Sequence, residues 1–201
     1  NRLLQGDVGS GKTIVATIAM VATALTGKQA ALMVPTEILA EQHMLTIEKL
    51  IQGTPFKAVL LTGSMNRSQK KRKELLAQIE SGEANLIIGT HALFQQDVTF
   101  KDLAFVVIDE QHRFGVQQRQ ALAGKGAGVN VLQMTATPIP RTLAITAFGE
   151  MDTSILSEIP RGRQPIKTSW VREQEMEQIF NFVERQIQEG RQAYMISPLI
   201  E

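Results

Sequence analysis

Short apolar stretches without alternation recur along the chain, at residues 2–5, 30–34, 58–61, 86–88, 104–108 and 131–134. Such runs predict strands buried on both faces, as inside a parallel sheet. Between them, residues 13–25, 37–51, 68–79, 113–123 and 141–148 space their apolar positions as a helix does. This alternation predicts an α/β fold, a mostly parallel sheet sandwiched by helices and joined by right-handed crossovers. In that architecture ligands meet the carboxyl ends of the strands.

The pattern changes near residue 160. Residues 160–165 hold two prolines, a glycine and two arginines and read as a linker. Beyond it come an expected strand at 166–171, a helix with Met176, Ile179, Phe180, Val183 and Ile187 on one face, a stop at Gly190, and a buried strand at 193–199. A strand and a helix alone cannot bury that much apolar surface. The expected organisation is therefore one domain over 1–159, the linker, and the truncated beginning of a second domain over 166–201. A first residue of Asn rather than Met points the same way, to an excised fragment.

Composition narrows the class. With 201 residues, 43% hydrophobic and 20% charged, the sequence is that of a globular protein and not of a disordered one. No cysteine is present, which excludes disulfides and thiolate metal sites, and the three histidines lack zinc-ligand spacing. No apolar run is long enough to span a bilayer and no secretion signal opens the chain, so a reducing cytoplasm is the expected location and no membrane partner is expected. The formal net charge of +1 gives no global footprint for nucleic acid, so any such site must be local.

The chemistry concentrates in two motifs. Gly6, Asp7, Val8, Gly9, Ser10, Gly11, Lys12 and Thr13 match the phosphate-loop pattern G-x-x-x-x-G-K-[ST], between an expected strand and an expected helix. Glycines let backbone N–H groups wrap phosphates, the helix N-terminus favours negative charge, Lys12 reaches the β- and γ-phosphates, and the Thr13 hydroxyl can ligate magnesium. The second motif follows the apolar run at 104–108, where Asp109 and Glu110 emerge at a strand's carboxyl end. Phosphoryl transfer to water needs a metal-holding carboxylate, a role for Asp109, and a group that prepares the water, a role for Glu110. ATP and Mg2+ are the cofactors this pairing calls for. A solvated acidic turn is the alternative reading of the pair taken alone.

Asp109-Glu110-Gln111-His112 together with the phosphate loop resembles the DExH helicases of superfamily two, whose motors consist of two RecA-like domains. Further signatures stand in family order: Pro35-Thr36-Glu37, Thr62-Gly63-Ser64, Gly89-Thr90-His91 and Thr135-Ala136-Thr137. Arg113-Phe114-Gly115-Val116 and Pro138-Ile139-Pro140-Arg141-Thr142 narrow the likeness to two bacterial groups of double-stranded DNA translocases, the RecG helicases and the transcription-repair coupling factors. Ser10, Gln111 and the Pro160-Arg161-Gly162-Arg163 linker look more like the RecG group.

That resemblance implies an ATP-dependent helicase working on branched DNA, by fork reversal and Holliday junction branch migration in recombination and repair. It implies backbone contacts to DNA from Thr36, Glu37, Thr62, Gly63, Ser64, Gly89, Thr90 and His91. It also implies coupling of hydrolysis to movement through His112, Thr135, Ala136 and Thr137, with His112 reading the nucleotide state through Gln133 or Thr135. The tripeptides alone are equally ordinary turns after strands. The basic run Arg67, Lys70, Lys71, Arg72 and Lys73 could extend a phosphate-contacting surface, but the preferred reading is the solvated face of a helix with Leu75, Leu76 and Ile79 as its buried stripe. His43 reads as a packed or surface side chain, and the eight methionines as core filler. An adenine-recognising segment, the arginine fingers of the second motor domain and a wedge domain would lie outside this chain, which by itself should hydrolyse ATP poorly. A phosphate-loop kinase and a nucleotide-binding module without turnover are the readings from other classes.

Overall fold

The computed structural model describes residues 1–63, 69–109, 128–136, 151–158 and 166–196. The expected helices at 113–123 and 141–148 lie outside the described residues, as do Ser64, Glu110, His112 and Thr137. The chain divides into two compact units, Asn1–Arg161 and Gly162–Glu201.

The first unit is built on β1 (Arg2–Gly6), α1 (Lys12–Leu25), β2 (Gln29–Met33), α2 (Glu37–Leu50), β3 (Ala58–Leu61), α3 (Gln69–Ser81), β4 (Leu86–Gly89), a 3-10 turn (His91–Phe94), β5 (Leu103–Ile108), β6 (Asn130–Thr135) and β7 (Asp152–Leu156). The strands form one sheet in the order β3-β4-β2-β5-β6-β1-β7, and every described pairing is parallel. Parallel neighbours need crossovers. α1, α2 and α3 supply three of them.

Two clusters on opposite faces of the sheet explain the unbroken apolar runs. Leu32 and Val107 pack with Ala16 and Met20 of α1 and with Ala40 and Ile47 of α2. Their chain neighbours Ala31, Met33, Val106 and Ile108 pack on the other face with Ile79 of α3 and Leu93. Successive strand residues point to opposite faces. A strand covered on both sides therefore has no position left for polar alternation, and all five residues of β2 are buried.

One of those five is Gln29, and it is fully used. Its amide nitrogen donates to the carbonyls of Ile79 and Ala84, both at 2.8 Å. Its oxygen accepts from the N–H groups of Lys101 at 2.8 Å and Asp102 at 3.1 Å. One side chain thus ties the end of α3 and the entry to β5 onto the start of β2. A close approach at the far end of the sheet demands glycine: a β-carbon on Gly89 would collide with the Leu61 carbonyl oxygen.

β7 was not among the expected strands. It pairs with β1 from Arg2↔Asp152 to Gly6↔Leu156. Its sequence, Asp-Thr-Ser-Ile-Leu, has no continuous apolar run because it lies at the sheet edge and is largely exposed. The Arg2 guanidinium donates to Ser154 Oγ at 2.8 Å and to Asp152 Oδ2 at 3.3 Å.

In the second unit the expected helix is present as α4 (Met176–Gln188). It stops at Gly190, as expected. Gly190 has φ +85°, its N–H donates to the Ile187 carbonyl, and the Arg191 N–H donates to the Gln186 carbonyl, the two bonds of a Schellman stop. Residues 166–171 form no strand, and residues 193–196, the described part of the other expected strand, form none either. Strand backbone needs a ladder partner, and no strand is present among the described residues of this unit. Met176, Phe180 and Ile187 of α4 are correspondingly exposed.

Candidate active site and nucleic-acid interface

A parallel sheet brings every strand's carboxyl end to one edge, and the ladder register levels those ends. Leu61, Gly89, Met33 and Ile108 stand in line across β3, β4, β2 and β5, and Gln5 of β1 stands beside Thr135 of β6. The phosphate-loop sequence leaves the sheet at Gly6 and enters α1 at Lys12. Gly9 and Gly11 sit at φ +82° and +94°, a region that side chains disfavour, and this lets the backbone curl back on itself. At Gly6 a β-carbon would lie 2.5 Å from Ser10 Oγ and 3.0 Å from Leu156 Cβ, so the loop folds tightly against the strand end.

The loop is shaped for an anion. Gly11 caps α1 without a side chain and no acidic residue stands in the first turn, so the positive end of the helix is left to an incoming group. Lys12 Nζ donates to the carbonyl oxygens of Gly6 at 2.7 Å and Asp7 at 2.8 Å. Those two carbonyls hold the ammonium where phosphate oxygens would compete for it. Ser10 Oγ is buried with no partner. Thr13 lies in the first helical turn, its carbonyl accepting from Thr17 Oγ1 at 2.8 Å.

Asp109 follows β5 directly, its N–H donating to the Met33 carbonyl at 2.9 Å. Its carboxylate meets His43 from α2: His43 Nε2 lies 3.1 Å from Asp109 Oδ2, with side-chain exposures of 11% and 14%. Nε2 is the ring nitrogen that meets the carboxylate, and in the tautomer that carries its proton there it donates to Oδ2. Nothing in the sequence assigns His43 this partner. A signal was present, because His43 interrupts the buried stripe of Ala40 and Ile47 on α2. Thr135 ends β6 buried, Ala136 follows it half-buried, and Gln133 Oε1 is buried without a partner.

Thr13 and Asp109 offer a hydroxyl and a carboxylate, hard oxygen donors of the kind magnesium takes while keeping phosphate and water as its other ligands. The donor set fits the metal.

The remaining tripeptides gather at the ends of β2, β3 and β4. A β-carbon on Gly63 would lie 3.3 Å from Glu37 Oε1 and 3.9 Å from the His91 ring, so these three positions converge. The threonines face otherwise. Thr36 Oγ1 accepts from the Leu39 N–H at 3.3 Å and caps α2, while Thr62 and Thr90 are buried, Thr90 Oγ1 having no partner. Among the described residues, the outward groups of this face are therefore Glu37, Gly63 and His91. On α3, Arg72 is bound to Asp97 at 2.8 Å and Gln95 at 2.6 Å, which makes it a clamp between α3 and the loop that follows the 3-10 turn. Lys70, Lys71 and Lys73 are exposed, and Arg67 lies outside the described residues.

Residues 1–145 match the family model described as DEAD/DEAH box helicase. The ATP-dependent DNA helicase RecG of Bacillus subtilis is 57% identical over 201 residues, all of this chain, and that of Staphylococcus aureus is 56% identical over the same span. The chain spans 29% of the length of these curated relatives. A structure of RecG bound to a three-way DNA junction superposes with a TM-score of 0.82 at 40% identity, covering 99% of this chain and 26% of that one. The helicase domain of Pyrococcus furiosus Hef superposes with a TM-score of 0.62 at 20% identity over 94% of this chain and 43% of that one, a likeness of fold. The α/β architecture is the RecA-like one expected from the sequence. The chain belongs to the DEAD/DEAH box helicase family, and within it resembles the RecG helicases along its whole length.

Proposed function

We propose that this chain is the nucleotide-binding part of an ATP-dependent double-stranded DNA translocase acting on branched DNA. The observation that carries the reading is one continuous strand-end edge, with the phosphate loop at β1, Asp109 at β5 and the convergent Glu37, Gly63 and His91 beyond β2, β3 and β4. The likeness to RecG, one of whose structures holds a three-way DNA junction, supports it.

In this reading Lys12 exchanges the carbonyls of Gly6 and Asp7 for the β- and γ-phosphates of ATP. The N–H groups of the loop take the remaining phosphate oxygens. Thr13 and Asp109 would hold Mg2+, which would supply charge neutralisation at those phosphates. Glu110 orients the attacking water, and His112, Thr135, Ala136 and Thr137 pass the nucleotide state to the DNA face. Backbone N–H groups beside Gly63 and Thr90, with the His91 and Glu37 side chains, position the duplex backbone without reading sequence. Residues 166–201 begin a second RecA-like domain, whose movement against the first does the work in the cytoplasm. Fork reversal and junction branch migration are the outcomes.

The test is a three-way junction assembled from labelled oligonucleotides and given to the full-length protein. ATP-driven conversion to duplex arms, absent with ADP and absent in Lys12→Ala, is the expected result. Conversion that is equal with ADP would rule the motor reading out.

A further inference from the structure

The phosphate loop and the acidic motif account for Lys12, Thr13 and Asp109, and they leave His43 unexplained. This side chain stands 66 residues before its partner and belongs to a different element, yet its ring nitrogen is 3.1 Å from Asp109 Oδ2 with both groups largely buried. It lies on the core-facing stripe of α2 between Ala40 and Ile47, both fully buried, where an apolar residue would otherwise pack. A polar group on a buried stripe is costly unless it is bonded, and this one is bonded to a carboxylate at the strand-end edge.

We propose that His43 is a positioning residue that fixes the Asp109 carboxylate for the metal. The inference rests on the reading of Asp109 as a metal carboxylate. Asp109 has further interactions besides this one; the bond to His43 is the contact that ties it to α2 here. A charge-assisted bond to Oδ2 restricts the carboxylate's rotation and turns its remaining lone pairs in a set direction. Partners of this kind around metal ligands typically alter metal affinity about ten- to a hundredfold when removed. α2 also begins at Thr36 and Glu37, so His43 ties the carboxylate that follows β5 to the helix that opens at the candidate DNA face.

The experiment uses the full-length protein, a non-hydrolysable ATP analogue and Mn2+, with free Mn2+ followed by electron paramagnetic resonance. His43→Ala is expected to weaken Mn2+ about tenfold. Analogue binding without metal should stay at the wild-type level. His43→Gln keeps an N–H donor and is expected to remain within about threefold of wild type, whereas His43→Met, of similar volume without a donor, should match His43→Ala. A purely structural role would move the melting temperature and leave the Gln and Met variants with equal Mn2+ affinity; that equality would overturn the proposal, including where His43→Ala does not fold. Asp109→Asn separates the premises. Unchanged Mn2+ affinity in that variant defeats the reading of Asp109 and the proposal with it, while weakened affinity alongside equal Gln and Met variants defeats the role of His43 alone.

Discussion

Gln29 makes four hydrogen bonds in a buried position, while Lys57 makes an exposed ion pair with Glu83 at 2.6 Å. Length alone would rank the ion pair higher. Burial reverses the order. Gln29→Ala removes the side-chain partner of the Ala84 carbonyl and of the Lys101 and Asp102 N–H groups, while the Ile79 carbonyl keeps its bond from the Gly82 N–H; each group left unsatisfied costs about 1–3 kcal/mol, whereas an exposed pair contributes about 0–1 kcal/mol. Urea unfolding should therefore show Gln29→Ala destabilised by roughly 3 kcal/mol or more and Lys57→Ala by less than about 1 kcal/mol. Equal losses would contradict the assignment. The role of Gln29 could not be read from the sequence, because its partners lie 50 or more residues away, and at His43 the interrupted stripe of α2 marks a polar position without pointing to Asp109. Lys12 and Thr13 could be read from the sequence, because the phosphate loop fixes its chemistry within eight consecutive residues.

At the scale of elements, legibility follows burial. β2, β4 and β5 announce themselves as unbroken apolar runs because helices cover both their faces. β7 does not, since an edge strand with exposed residues can be made of Asp, Thr and Ser. The strand expected at 166–171 fails for the converse reason: its residues have suitable propensity, but a strand exists only with a partner. α3 settles a different question. Its basic residues divide into Arg72, clamped to Asp97 and Gln95, and Lys70, Lys71 and Lys73, which face solvent. Replacing the three lysines together by glutamine should leave duplex DNA affinity within about twofold and the salt slope unchanged, since uncontacted charges release no counterions. A drop in the slope of about one or more per lysine would make α3 part of the DNA surface instead.

The whole molecule is uneven in its burial. In the first unit, β2 and its neighbours are closed on both faces; in the second, α4 has no buried residue, and Met176, Phe180, Phe182 and Ile187 stand exposed. Opening free energy tracks such contacts. Amide hydrogen exchange on this chain should show β2 and β5 protected to the level of global unfolding, with α4 exchanging faster by several orders of magnitude. Equal protection would mean that α4 is supported by packing not seen here.

The central claim is that the strand-end edge couples ATP hydrolysis to DNA. ATPase rate with and without forked duplex DNA, for the full-length protein and its Lys12→Ala and Glu110→Gln variants, tests that most directly. Strong stimulation by DNA in the wild type and none in either variant is the expected result. Hydrolysis that depends on Lys12 and Glu110 but is indifferent to DNA would contradict the claim, leaving the nucleotide chemistry in place and removing the motor.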